Sequence, residues 1–256
     1  MSERIERNDL EQSDLERNEL DGGPSARLVA FLEFSGFLAF ALLSKLVLDA
    51  YIWRYSGPVS LGITLLLLTG YMRMRGWTWS EYGLTRFPGP PGSKKRWLAF
   101  KVVVVLVGFA AIILSVQGGA HLLGLEFMQV EPQGVEDRWG DVEGNLPLFL
   151  LWLGIIWTSA AFGEEMFFRG FLIVQAQKMF GNTRWGAVVA VIMAACVFGY
   201  GHFYYQGWRG FVETGSIGLV FGILFLVFRR NLWPLIIFHG LIDTAGFIAL
   251  YLGAEA

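Results

Sequence analysis

Charged residues are scarce in this sequence, and they are unevenly distributed. Only 16% of its 256 residues are Asp, Glu, Lys or Arg, against about a quarter in an average soluble domain. Residues 1–24 hold eight acids and three arginines, so the rest of the chain has only 14 acids and 17 bases. This excludes an ordinary soluble enzyme. No basic stripe is interleaved with aromatic residues, which also excludes a nucleic-acid-binding protein.

Cysteine is nearly absent as well. The single cysteine, Cys196, lies in an apolar run, where we expect it to be a small core residue. One cysteine excludes an internal disulfide, a cysteine metal cluster and a redox motif.

Long apolar runs, by contrast, are abundant. A helix needs roughly 20 apolar residues to cross the membrane, and seven runs approach or exceed this length: 28–53, 57–73, 97–123, 147–173, 184–204, 211–228 and 232–252. The second run is the weakest, because it is short and contains Gly57, Pro58 and Gly62. We therefore predict an all-α integral membrane protein, a bundle of about seven transmembrane helices in contact with membrane lipid.

Three regions follow from this pattern. Residues 1–24 form an acidic, low-complexity tail whose composition predicts disorder and which is suited to docking a cytoplasmic partner. Residues 25–146 hold the first transmembrane helices, and residues 147–252 form a core of four helices.

The charges of the loops predict an orientation. The loop 73–96 carries six basic residues and one acid, whereas the loop 124–146 carries six acids and one arginine. By the positive-inside rule the basic loop faces the cytoplasm. The pairs Lys178 with Arg184 and Arg229 with Arg230 fall on the same side, so the N-terminus is predicted to be cytoplasmic and the C-terminus to lie on the opposite side.

Ionisable residues inside apolar runs are costly and indicate function. Helical spacing predicts which of them pair, since residues four apart share a helix face. Lys45 and Asp49 are expected to form a structural ion pair in the first run. In the core, the same spacing pairs Glu165 with Arg169 and His239 with Asp243, and it leaves Glu164 free to point elsewhere. A carboxylate and imidazoles brought together in this way suit hydrolysis by an activated water.

Three motifs in the core, in this order on successive helices, resemble the signature of the CPBP family, which includes the type II CAAX prenyl endopeptidases and bacteriocin-processing or immunity proteins. The motifs read Glu164-Glu165-Met-Phe-Phe-Arg169, Phe198-Gly-Tyr-Gly-His202 and His239-Gly-Leu-Ile-Asp243.

The resemblance implies an intramembrane glutamic endopeptidase that needs no cofactor and cleaves a peptide or protein at the membrane, lipidated or not. Glu164 would activate water with help from His202, and His239 with Asp243 would stabilise the oxyanion. Glu165, Arg169 and Phe198 would support the site. The prenyl proteases usually have Asn where this chain has Asp243. An ionised Asp cannot donate a hydrogen bond to an oxyanion, so Asp243 would act protonated or through His239.

Two alternatives accompany this interpretation. Glu164, His202 and His239 could instead form a three-ligand zinc site with an open position. A different class of function is a non-catalytic membrane scaffold, or an immunity or regulatory protein, that binds a partner through the fold and the acidic tail.

Finally, Gly215, Gly218 and Gly222 fit the close packing of helices through small residues.

Overall fold

The computed structural model describes residues 23–85, 94–130 and 133–254, and every regular element in these ranges is helical. We number the helices in chain order as follows: α1 (Pro24–Ile52), α2 (Ser56–Met74), α3 (Lys94–Leu122), α4 (Gln133–Trp139), α5 (Leu146–Met179), α6 (Arg184–Val227) and α7 (Trp233–Tyr251). The acidic tail predicted to be disordered lies outside the described residues as far as residue 22.

The chain is an all-α polytopic membrane bundle, as predicted. Five helical stretches in the described part of the chain are long and apolar enough to cross a membrane. Two of them contain a break: residues Trp53–Tyr55 form a 3₁₀ turn between α1 and α2, and Gly207 interrupts α6 with a φ of 61°. At 1.5 Å per residue, the 44 residues of α6 would be about 66 Å long as one rod, roughly twice the hydrocarbon thickness. The number of seven spans stays a prediction.

The second apolar run, the weakest in the sequence, is an ordered helix that forms a hairpin with α1. Ser44 Oγ lies 2.7 Å from Ser60 Oγ, and Ser60 Oγ also donates to the carbonyl of Ala41 at 2.7 Å. Pro58 falls in the first turn of α2, where a helix does not need the missing N–H group. The predicted ion pair is confirmed, with Lys45 Nζ 2.9 Å from Asp49 Oδ2.

The segments of α6 before and after Gly207, which we call its first and second arms, pack against each other through glycines, as predicted. A Cβ atom built on Gly218 would lie 3.3 Å from Ala195 Cα, and one on Gly222 would lie 2.8 Å from Val191 Cγ1. Residues 195, 198 and 199 face the second arm, because they share one side of the helix. The expectation for Cys196 is wrong: it points away from this side and is exposed.

The turns predicted to be cytoplasmic meet at one end of the bundle, which we call the basic end. The backbone N–H of Leu232 donates to the carbonyl of Gly83 at 3.0 Å. Asn231 Nδ2 donates to Thr85 Oγ1 at 2.8 Å, and Lys178 reaches the same loop. These contacts join the loop after α2 to the ends of α5 and α6.

The acidic loop between α3 and α5 lies at the other end, which we call the acidic end. Here Gly144 N–H donates to the carbonyl of Tyr251 at 3.0 Å, and Arg54 donates to the carbonyl of Asp137 at 3.1 Å. The separation of basic and acidic ends agrees with the loop charges. Which end faces the cytoplasm stays a prediction.

Candidate active site

Two neighbouring glutamates lie in the middle of α5, within a stretch of π-helical turns over Ile156–Ile173. Such turns are rare in proteins and occur frequently at functional sites. The predicted pair is confirmed: Arg169 Nη1 lies 3.0 Å from Glu165 Oε1, and both residues are almost fully buried. Glu165 also has a second partner, since its Oε1 lies 3.0 Å from His239 Nδ1. Glu165 therefore ties α5 to α7.

The guanidinium of Arg169 is enclosed by aromatic rings from α6. Its Cζ atom lies 4.3 Å from the ring centroid of Phe198 and 5.2 Å from that of Phe221. Rings at this distance stabilise a cation through their negatively charged faces. Phe198 thus belongs to the support of the buried ion pair, which connects α5 to both arms of α6.

Glu164 is in a different environment from its neighbour. Its Oε2 atom is buried and has no hydrogen-bond partner among the described residues. Glu164 also lines a large cavity among the described helices. The residue is partly exposed, unlike Glu165, so its carboxylate can accept a hydrogen bond from a water molecule or a substrate in the cavity.

His202 lies on the first arm of α6, and its ring is oriented by its own helix. Its Nδ1 atom is 3.0 Å from the carbonyl oxygen of Phe198. A carbonyl oxygen can only accept, so Nδ1 carries the hydrogen, and Nε2 of the neutral ring is left with its lone pair. His202 lines the same cavity as Glu164, where Nε2 can accept a proton or a hydrogen bond.

His239 is held between two carboxylates. Besides the contact with Glu165, its Nε2 atom lies 3.4 Å from Asp243 Oδ2, the partner expected from the helical spacing. Glu165 accepts the hydrogen on Nδ1. The ring nitrogen Nε2 and a carboxylate oxygen both bear lone pairs, so a direct hydrogen bond between them requires one proton on the His239–Asp243 pair.

The four residues predicted to be catalytic, Glu164, His202, His239 and Asp243, line one cavity of about 1480 Å³. The cavity extends from the middle of the bundle towards the acidic end, where Asp141, Glu143 and Gly253 also line it. Residues that are up to 79 positions apart in the sequence therefore line one cavity. Their roles in catalysis remain predictions.

Two further residues of the cavity were not predicted from the sequence. Arg138 of α4 is only 7% exposed, and its guanidinium lies 4.6 Å from the ring centroid of Tyr205. Both residues line the cavity beside His202. The only signal in the sequence was that Arg138 is the single basic residue in an acidic loop.

Among the described residues, no set of three or more His, Cys, Asp or Glu side chains is arranged to hold a metal ion. A zinc ion on Glu164, His202 and His239 would need carboxylate and imidazole ligands about 2.0–2.2 Å from a common point. The zinc alternative stays a prediction that chelation can test.

Comparison with known proteins agrees with the motifs. Residues 146–245 match the family described as Type II CAAX prenyl endopeptidase Rce1-like. The matched segment contains the three motifs, and the resemblance to the CAAX protease-like family is confirmed over that segment. No curated protein and no solved structure matches the chain significantly.

The family match covers 100 of the 256 residues. Together with the apolar helices, it indicates an integral membrane protein whose C-terminal core is similar to CAAX-type proteases.

Proposed function

We propose that this protein is an intramembrane endopeptidase in which Glu164 activates a water molecule to hydrolyse a peptide bond. The observation that carries the proposal is the contrast between the two adjacent glutamates. Glu165 is fully buried and is bound by Arg169 and His239, whereas Glu164 has no such partner among the described residues and lines the cavity. A general base must have an oxygen within hydrogen-bond reach of water.

In the first step, a water molecule gives a proton to Glu164, and its oxygen adds to the carbonyl carbon of the scissile bond. His202 Nε2 accepts a hydrogen bond from the same water and orients it. This role is supported by the bond from Nδ1 to the Phe198 carbonyl, which leaves Nε2 without a hydrogen. The products of this step are a tetrahedral intermediate and a protonated Glu164.

His239 and Asp243 stabilise the oxyanion of this intermediate. The proton between Nε2 and Oδ2, which are 3.4 Å apart, is donated to the oxyanion as a hydrogen bond. This supplies the donor that an ionised Asp alone would lack. The carbon–nitrogen bond then breaks, and the leaving nitrogen takes the proton from Glu164, which returns to its carboxylate form.

The test uses purified protein in proteoliposomes with a pool of internally quenched peptides, half of them prenylated. We expect the wild type to cleave members of the pool. Glu164→Ala and His202→Ala should each lower the rate by about 10²–10⁴-fold, the usual contribution of a general base or acid. Glu126→Gln is the matched control, because Glu126 is exposed and does not line the cavity.

Two results would overturn the proposal: full activity in either folded alanine variant, or no cleavage of any peptide by the wild type. The scaffold alternative makes a different prediction. If Glu164→Gln preserves the biological activity of the protein while deletion of residues 1–23 abolishes it, the protein acts by binding a partner.

The role of a metal is tested in the same assay. The glutamate mechanism expects the cleavage rate to be unchanged by a chelator such as 1,10-phenanthroline. Loss of activity on chelation, together with about one zinc ion per chain by elemental analysis, would favour the zinc site instead.

A further inference from the structure

Arg138 is a buried cation at the acidic end of the cavity. The side chain comes from α4, the short helix of the acidic loop, and only 7% of the residue is exposed. Its guanidinium lies 4.6 Å from the ring centroid of Tyr205 and 5.6 Å from that of Trp139. On the facing side, a Cβ atom on Gly57 would lie 3.2 Å from Arg138 Nη2, so the glycine leaves room for the guanidinium.

The charge of Arg138 has no anionic partner among the side chains that the structure describes. Its Nε atom is buried without a hydrogen bond. Arg169, the other buried arginine among the described residues, has Glu165 as its anionic partner. Aromatic faces offset only part of the cost of burying a cation. The remaining hydrogen-bonding capacity is open to a ligand in the cavity.

Arg138 is also close enough to the proposed catalytic residues to contact the same peptide. Its Cζ atom is 4.6 Å from the Tyr205 ring centroid, and that centroid is 5.8 Å from the His202 ring centroid. The guanidinium is therefore no more than about 10 Å from the His202 ring, the length of about three extended residues.

We propose that Arg138 binds a carboxylate of the peptide substrate and thereby places the scissile bond beside Glu164. The carboxylate belongs to the peptide C-terminus or to an acidic side chain, within about three residues of the cleaved bond. A planar guanidinium is the side chain best suited to bind a carboxylate through two parallel hydrogen bonds. This inference rests on the proposed function, because it assigns the substrate of the same site.

Binding is measured first without cleavage, in Glu164→Gln protein in proteoliposomes. The probe is the member of the peptide pool that this protein binds most tightly, labelled with a fluorophore. It is prepared in three forms: with a free C-terminal carboxylate, as a C-terminal amide, and with its acidic side chains converted to amides. The dissociation constant of each is obtained by fluorescence anisotropy.

We expect one of the two neutralised peptides to bind about 10–100-fold more weakly than the free acid, the range for a hydrogen bond to a charged group. The form that loses affinity identifies which carboxylate is bound. Equal affinity of all three peptides would overturn the proposal, whether or not any variant of Arg138 folds.

Variants then test whether Arg138 is the residue responsible. Arg138→Gln should weaken the binding of the free-acid peptide by the same factor and should leave the affinity for the neutralised peptide unchanged. Arg138→Lys should recover part of the affinity for the free-acid peptide. In cleavage by protein with Glu164 intact, the Arg138→Gln change should appear in KM, with kcat altered less than about 3-fold. Arg209→Gln is the control, since Arg209 pairs with Glu213 at the same end of the bundle outside the cavity lining.

An equal loss of affinity for the acid and the neutralised peptide in Arg138→Gln would indicate a purely structural role and would overturn the assignment. These results do not depend on cleavage. Failure of the wild type to cleave any peptide would count against the proposed function alone.

Discussion

The substitution of Gln for Glu at positions 164 and 165 separates catalysis from stability, because the same change is made at adjacent residues with opposite surroundings. Glu165 is fully buried, and its Oε1 is 3.0 Å from Arg169 Nη1 and 3.0 Å from His239 Nδ1. In Glu165→Gln the shape is nearly unchanged but the negative charge is lost. The cation of Arg169, which is 1% exposed, then loses its ion-pair partner.

Breaking a buried ion pair by removing one partner typically costs about 3–5 kcal/mol, because the other charge remains buried. Two Phe rings within 5.2 Å of the Arg169 guanidinium reduce this only in part. We therefore expect Glu165→Gln to lower the free energy of unfolding by about 3 kcal/mol or more, which is over a hundredfold in the unfolding equilibrium. Glu164→Gln removes no contact with Arg169 or His239, so its stability should change by less than about 1 kcal/mol.

The measurement is reversible unfolding in mixed micelles, with thermal unfolding as a second method, alongside cleavage of the peptide pool. Glu164→Gln should be stable and inactive, and Glu165→Gln should be unstable. The double substitution Glu165→Gln with Arg169→Met removes both charges and should recover part of the lost stability. A Glu165→Gln protein as stable as the wild type would refute the role of Glu165 as the anion that holds Arg169. If Glu165→Gln were the inactive variant and Glu164→Gln the active one, the assignment of the two glutamates would be reversed.

The orientation of the bundle in the membrane gives one further prediction, and the packing of the hairpin formed by α1 and α2 gives another. With Cys196→Ser as the background, a cysteine in place of Ser80 at the basic end should be protected from an impermeant maleimide in intact cells, and one in place of Asp141 at the acidic end should be labelled. The opposite labelling would reverse the predicted topology. Tyr71 donates to Glu33 Oε1 at 2.5 Å, so Tyr71→Phe should lower the unfolding free energy by about 1.5–3 kcal/mol; a change under about 0.5 kcal/mol would show that this bond contributes little.

Contacts within one helix could be predicted from the sequence, because the geometry of a helix is fixed. The pairing of Glu165 with Arg169, and that of His239 with Asp243, follow from a spacing of four residues. Because Glu165 faces Arg169, it also follows that the adjacent Glu164 points away from Arg169. The family match over residues 146–245 confirms the resemblance of this segment to the CAAX protease-like family.

Contacts between helices could not be predicted in the same way. The bond from His239 to Glu165 joins residues 74 positions apart, and nothing in the spacing of either motif specifies how α5 and α7 rotate against each other. Arg138 was interpreted only as a charge of the acidic loop, because a seven-residue helix gives too short a pattern to reveal a buried side. Cys196 was misplaced for a related reason: an apolar residue in a membrane protein can face lipid as well as the core.

The position of the cavity has a consequence for how a substrate reaches Glu164. Asp141, Glu143 and Gly253 line the cavity at the acidic end, whereas none of the described residues that line it comes from the turns at the basic end. The basic turns are predicted to be cytoplasmic by their charge. A peptide would then enter the cavity from the non-cytoplasmic side of the membrane and would meet Arg138 before it reached Glu164. Labelling at position 141 therefore tests the side from which the active site is reached as well as the topology of the bundle.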